Sequence, residues 1–336
     1  ASGLCHSDEH IVTGDMPVPA YPYIGGHEGA GVVEKVGPGV ESLKVGDHVV
    51  LSFIPACGRC KMCSTGHQNL CDLGAGLLDG LQITDNTARH HVNGEDARIV
   101  CMVGTFAPYT VVNEASAVKI DDDIPLEVAA LVGCGVTTGW GSAVNSAEVQ
   151  PGDTVVVVGV GGIGSNAVQG ARIAGAKYIV AVDPVEFKRE NAQSLGATHT
   201  AASIEEAMPL VQQITRGVMA DKVIYTAGVV EGALMAGIMA LTTKNGIAVV
   251  TGLGRAADMS VNMSLFDLTL SQKRVQGSLF GAANPRADIP RLLSLYQNGQ
   301  LKLNELVTRT YSLEDINQGY QDMRDGKNIR GVIVYN

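Results

Sequence analysis

The run Thr154-Val155-Val156-Val157-Val158 breaks directly into Gly159-Val160-Gly161-Gly162-Ile163-Gly164, and few patterns restrict a fold as tightly. An unbroken β-branched run reads as a strand buried on both faces. The glycines permit a tight turn into a helix that begins near Ile163. There the backbone N–H groups and the positive end of the helix dipole can hold a pyrophosphate. A second apolar run, Tyr178-Ile179-Val180-Ala181-Val182, ends at Asp183. Strand, glycine turn, helix, strand and acid together make the context of a dinucleotide site, which a glycine-rich turn alone does not. The alternation continues, with strands expected over 222–225, 247–250 and 275–279 and helices over 187–195, 208–215 and 232–241. This half predicts an α/β fold built on a doubly wound parallel sheet.

The flanking sequence reads differently. Short alternating segments at 32–37 and 45–51 are separated by glycine turns, so the region is mostly β. A strand is expected over 106–112 and a short helix over 125–132, ending at Gly133-Cys134-Gly135. Residues 72–101 read as a long loop with one short hairpin. The tail predicts helices over 289–298 and 313–324 and a closing apolar strand over 330–335. The division is a mostly-β domain from 1–135 with 280–336, and a dinucleotide domain over 136–279.

Charge and cysteine usage narrow the function. The 24 basic residues against 34 acidic ones give a net charge of −10 with no basic cluster, which argues against nucleic acid and anionic membranes as partners. No apolar run reaches the roughly 18 residues of a membrane span. Cys57, Cys60, Cys63 and Cys71 have the spacing C-x2-C-x2-C-x7-C. Four thiolates on one loop suit tetrahedral Zn²⁺ in a closed structural site, with an iron–sulfur cluster or disulfides as the alternatives. Arg59 and Lys61 beside them would offset the thiolate charge. Cys5-His6-Ser7-Asp8-Glu9-His10 and the His27-Glu28 pair set in glycines concentrate metal- and proton-handling groups. His48 reads as structural, His90 and His91 as exposed loop residues and Cys101 as a buried thiol.

In combination, Cys5-x-Ser7-Asp8, Gly26-His27-Glu28, the four-cysteine lobe, Gly133-Cys134-Gly135 and the glycine turn resemble the zinc-containing medium-chain alcohol dehydrogenases essentially from end to end. The stretches Cys71-Asp72-Leu73-Gly74-Ala75-Gly76-Leu77-Leu78 and Gly326-Lys327-Asn328-Ile329-Arg330-Gly331-Val332-Ile333 are similar to the actinobacterial nicotinoprotein group, the nitrosoaniline-dependent (NDMA-dependent) enzymes. The resemblance implies a GroES-like catalytic domain beside the Rossmann domain. It implies a catalytic Zn²⁺ on Cys5, His27 and Cys134 and a structural one on Cys57, Cys60, Cys63 and Cys71, two per chain. Ser7 would take the substrate proton and pass it through the cofactor ribose to His10 at the surface. Asp8 would orient His27, and Glu28 would assist ligand exchange. Phe53 and Phe106 match pocket-lining positions.

For NAD, the resemblance implies that Gly159, Gly161, Gly162, Ile163 and Gly164 carry the pyrophosphate and that Thr138 meets the nicotinamide. Asp183 would bind the adenosine ribose and repel a 2′-phosphate, with Lys188 adding a ribose contact. Arg330 would reach the pyrophosphate, as would His6, which stands where many relatives have Arg. The implied enzyme oxidises primary alcohols or reduces aldehydes, retains NAD through turnover, and gives electrons to an external acceptor. A cytoplasmic homo-oligomer is expected. A formaldehyde dehydrogenase acting on an S-(hydroxymethyl)thiol adduct and an inactive homologue are the rival readings. Relatives carry a segment ahead of the position of Cys5, so the chain is expected to be a fragment.

Overall fold

The computed structural model describes residues 1–335. The chain divides into two compact units, Ala1–Thr137 together with the residues from Ala283 onward, and Thr138–Ala282.

In the second unit, Val155, Val156 and Val157 are fully buried in the strand Thr154–Val158. Burying each such side chain contributes about 1.5–3 kcal/mol, which is why the run must be covered on both faces. It is the third of six parallel strands, in the order His199–Ala201, Tyr178–Val182, Thr154–Val158, Ala220–Tyr225, Thr242–Val250, Arg274–Gly277. Numbered along the chain this is the 3-2-1-4-5-6 order of a Rossmann sheet. The helices Gly162–Ile173, Glu186–Leu195, Ile204–Ile214 and Met235–Leu241 connect the strands. The order reverses between Thr154–Val158 and Ala220–Tyr225, so the glycine turn lies at the switch point where such sheets bind ligands.

The first unit is built on a sheet in the order Val307–Tyr311, Arg330–Ile333, Ser2–Gly3, Glu28–Val32, His48–Leu51, Ala117–Ile120. Its register matters for function. Gly3 is paired with Val332 on one side and Glu28 on the other. Cys5, His27-Glu28 and Arg330, from the start and end of the chain, are thereby drawn together. A smaller sheet holds Tyr23–Ile24, Glu95–Ile99 and His90–Val92, the last two forming the expected hairpin.

Two expected strands are not found as read: of residues 32–37 only Val32 lies in a strand, at the end of Glu28–Val32, and 106–112 form none. Residues 106–112 have no regular structure, and the partner of His48–Leu51 is Ala117–Ile120. Pro108 interrupts the segment and cannot donate to a ladder. The Thr105 and Phe106 N–H groups are spent on Gly26 and Gly25 carbonyls, and the Thr110 hydroxyl on the Val103 carbonyl. Beyond Cys134 the chain stays helical, over Gly135–Gly141 and then through a π-helical turn, Ser142–Ser146. Among the described residues no helix is long and apolar enough to cross a membrane.

Candidate active site

Cys5 precedes the helix His6–Val12 with extended backbone, φ −135° and ψ 149°, so its thiol is free of the helix while Ser7 and Asp8 occupy the first turn beside it. The Cys5 Sγ lies 3.7 Å from the Ser7 hydroxyl. Cys134 sits between the helices Leu126–Val132 and Gly135–Gly141. The sulfurs of Cys5 and Cys134, an imidazole nitrogen of His27 and a carboxylate oxygen of Glu28 all lie within 4.8 Å of one another, and all four residues are buried. Asp8 organises this group from behind. One carboxylate oxygen accepts from the Gly26 N–H at 2.8 Å, and the other lies 2.9 Å from His27 Nδ1. Both ring nitrogens are buried, and neither makes a hydrogen bond of ordinary geometry among the described residues, although Nδ1 faces Asp8. Phe53 packs edge-on against the imidazole at 5.7 Å, and Phe106 against Tyr320 at 6.2 Å.

The electrostatics are those of a cation site. Cys134 holds the Cys5 thiol well below its ordinary value, against the opposing effect of burial and with help from His27 and Arg330. The same contact, with burial, pushes Cys134 well above. Burial alone would pull His27 down, but Asp8 and the two thiols drive it well up. Burial pushes Glu28 up to about 7, opposed by Arg330. Two thiols and an orphaned imidazole nitrogen converging in a dry pocket fit a zinc ion with one open position.

Cys57, Cys60, Cys63 and Cys71 form the second cluster. Cys57 and Cys63 sulfurs are 3.9 Å apart, as are those of Cys60 and Cys71. Backbone N–H groups point at the sulfurs: Cys60 to Cys57 at 3.3 Å, Cys63 to Cys60 at 3.4 Å and Cys57 to Cys71 at 3.4 Å. Burial raises the Cys57 thiol, but the N–H groups of Arg59 and Cys60 outweigh it and bring it to about 6. Burial pushes Cys63 up to about 12. At 3.9 Å the paired sulfurs, Cys57 with Cys63 and Cys60 with Cys71, are too far apart for a disulfide. The donor set fits a closed four-thiolate zinc site.

The second unit holds the expected dinucleotide residues. Gly159 has φ +89°, and a Cβ there would stand 2.7 Å from the Ala227 nitrogen. Gly161 is the N-cap of Gly162–Ile173, whose first turn, including Ile163 and Gly164, receives no capping side chain. A Cβ on Gly161 would point into open space. An uncapped helix N-terminus with room in front of it fits a pyrophosphate. Asp183 is buried at the end of its strand and accepts from the Val160 N–H at 3.0 Å and the Val185 N–H at 2.9 Å. Its carboxylate is thus fixed to the glycine turn. Lys188 is half-buried in the next helix. Thr138 is buried, and its carbonyl accepts from the Ser142 hydroxyl at 2.7 Å.

His6 opens the first helix, and His10 is buried in it with Nδ1 3.5 Å from Asp15. Arg330 is buried, not on the surface where a tail arginine is usually found. It pairs with Glu28 and donates to the Leu4 carbonyl at 3.0 Å. Nothing in the local sequence marks that pairing. Nor does it mark the support of the glycine turn by Thr226, whose hydroxyl donates to the Gly159 carbonyl at 2.5 Å. The Tyr320 hydroxyl, 3.5 Å from the Cys5 carbonyl, is of the same kind.

Comparison with known proteins agrees with this geometry. Residues 1–122 match the family described as alcohol dehydrogenase GroES-like domain, and residues 162–298 the family described as zinc-binding dehydrogenase. Alcohol dehydrogenase B of Mycobacterium tuberculosis is 53% identical over 335 residues, covering 100% of this chain and 89% of the relative. An NDMA-dependent alcohol dehydrogenase of Amycolatopsis methanolica is 54% identical over 335 residues, covering 100% and 90%. Among solved structures, an alcohol dehydrogenase zinc-binding domain protein from Burkholderia ambifaria superposes with a TM-score of 0.92 at 33% identity, covering 100% of this chain and 90% of that one.

Proposed function

The chain belongs to the zinc-type medium-chain alcohol dehydrogenase family, and from that premise we propose that it is a nicotinoprotein alcohol dehydrogenase with two zinc ions per chain. The observation that carries the catalytic part is the buried convergence of Cys5, His27 and Cys134 with an orphaned imidazole nitrogen. The retained-cofactor part rests on the 54% identity to the NDMA-dependent relative. Cys5, His27 and Cys134 would hold a zinc ion supplying Lewis acidity toward the substrate oxygen. The glycine turn, Asp183, Lys188 and Thr138 would hold NAD, which supplies the hydride acceptor, with His6 and Arg330 as further cofactor contacts.

The remaining steps belong to side chains. Ser7, beside Cys5, takes the hydroxyl proton of the substrate. His10, backed by Asp15, is the next group on the proton's route, and it is buried, not at the surface as expected. Asp8 holds the proton of His27 on Nδ1, so that Nε2 presents a lone pair. Phe53 lies against the imidazole, keeping water from that side. Glu28 is held back by Arg330 and the Gly135 N–H at 3.1 Å.

The proposal includes a cytoplasmic homo-oligomer that passes electrons to an external acceptor. Four cysteines gathered in one lobe as candidate metal ligands suit a reducing compartment. The edge strand Arg274–Gly277 is exposed along its length and flanked by exposed Leu265, Phe266 and Leu270, a surface that invites a second copy.

The test is a single-turnover measurement on full-length protein as purified. Addition of a primary alcohol should produce bound reduced-nicotinamide absorbance, while added NAD⁺ alone sustains little turnover. Brisk release of NADH into solution would sink the nicotinoprotein assignment.

A further inference from the structure

The π-helical turn Ser142–Ser146 ends in an Ala147 N–H to Ser142 carbonyl bond of 2.9 Å. Such turns leave carbonyls short of N–H partners and recur at functional sites. Here the deficit is met by side chains. Ser142 donates its hydroxyl to the Thr138 carbonyl at 2.7 Å. Its oxygen is 2.9 Å from the Thr251 hydroxyl and 3.5 Å from that of Ser278. Ser146 is 2.8 Å from Ser278. All four hydroxyl residues are buried.

A serine has one proton. The Ser142 proton is spent on Thr138, so Thr251 must donate to Ser142. The chain therefore runs one way, from Thr251 through Ser142 to the Thr138 carbonyl. Thr251 follows the strand Thr242–Val250, and Ser278 follows Arg274–Gly277. The cluster thus ties the helix carrying Thr138 to the carboxyl ends of two adjacent parallel strands, the side on which sheets of this order bind ligands. Asn145 adds a bond to the Gly281 carbonyl at 3.1 Å. A buried chain of this kind is strong when complete and costly when one member is lost.

We infer that Ser142, with Thr251 donating to it, is a positioning residue for the nicotinamide end of the cofactor, acting through Thr138. This rests on the dinucleotide reading above. ADP-ribose separates the two, because it carries the pyrophosphate and adenosine but lacks the nicotinamide. Trp140, the single tryptophan of the chain, is on the same helix and offers an emission probe, with calorimetric titration as the direct measure of binding.

The experiment uses the full chain with bound nucleotide removed. Ser142→Ala and the isosteric Thr251→Val should weaken NADH about tenfold and leave ADP-ribose unchanged. Thr251→Ser, which keeps the hydroxyl, should retain the wild-type ratio of the two affinities. Equal weakening of both ligands, or no change in NADH affinity with Thr251→Val, would overturn the inference. Failure of the wild type to bind ADP-ribose would instead remove the dinucleotide reading on which it stands.

Discussion

Glu28 and Arg330 are 302 positions apart in the chain and form a buried ion pair beside the metal-ligand cluster. Gly3 and Gly135 flank it, and a Cβ on either would strike the pair. Burial raises Glu28 to about 7 even with the guanidinium in place. Removing one partner of such a pair leaves an uncompensated buried charge. Arg330→Ala should therefore lower stability by about 3–5 kcal/mol. The double variant Glu28→Gln with Arg330→Met should recover much of the loss. Urea unfolding of the zinc-loaded protein checks both, and additive losses would show that the two residues do not act as a pair.

Two glycines of the same turn should respond in opposite ways. Gly159 is left-handed and pressed against the backbone of Ala227, so Gly159→Ala should destabilise the second unit by about 1–3 kcal/mol with or without cofactor. Gly161 is not left-handed, and nothing lies where its Cβ would be. Gly161→Ala should leave the melting temperature of cofactor-free protein within a degree or two and weaken ADP-ribose binding at least about tenfold. Calorimetry and titration separate the two effects. Normal ADP-ribose affinity in Gly161→Ala would mean that the pyrophosphate sits elsewhere.

Local features of this chain were legible because their signals are local. The valine run and the glycines after it dictate strand, turn and helix over a few residues, and the four-cysteine spacing closes a site within one loop. The proposed ligands Cys5, His27 and Cys134 are not neighbours, and only the joint motif pattern brought them together. The Glu28–Arg330 pair left no trace, since its cause is the register that pairs Gly3 with both Glu28 and Val332. Residues 106–112 looked like a strand from their apolar content. Tertiary demand won there, because Thr105 and Phe106 are committed to the backbone of Gly25 and Gly26. The π turn at Ser142 depends on hydroxyls from three separate segments, which no periodicity reveals.

Asp8 should matter through the tautomer it imposes. Its carboxylate accepts from the Gly26 N–H and faces His27 Nδ1 at 2.9 Å, so that it would hold the ring proton on Nδ1 when a metal takes Nε2. In Asp8→Asn the amide can retain the Gly26 bond while presenting N–H groups to the imidazole. The proton then moves to Nε2, the nitrogen needed for the metal. Zinc affinity at this site should fall about 10–100-fold, while the four-cysteine lobe keeps its ion. Metal content after graded chelator treatment is the measurement. Loss of both ions together would indicate general unfolding and not a tautomer effect.

Acid sensitivity should have a contribution from Asp322. Its buried carboxylate accepts from the Tyr311 hydroxyl at 2.9 Å, Gln318 at 3.0 Å and Arg309 at 2.7 Å, with Lys327 at 3.8 Å. The Tyr311 hydroxyl, with Gln318 and Arg309, holds this acid below its ordinary value against the opposing effect of burial. A depressed folded-state value means that the unfolded chain takes up the proton first as pH falls. The stabilisation is therefore complete above the ordinary aspartate value of about 3.9 and is lost as pH drops through the lower folded value. Asp47 is depressed in the same way by Lys119, so the whole protein's acid profile mixes several groups. The difference between wild type and Asp322→Asn isolates one of them. The two melting temperatures should differ by a constant amount between pH 7 and pH 5 and converge as pH falls below 4. A gap that persists unchanged to pH 3 would mean that the amide's altered packing, and not the carboxylate charge, is responsible.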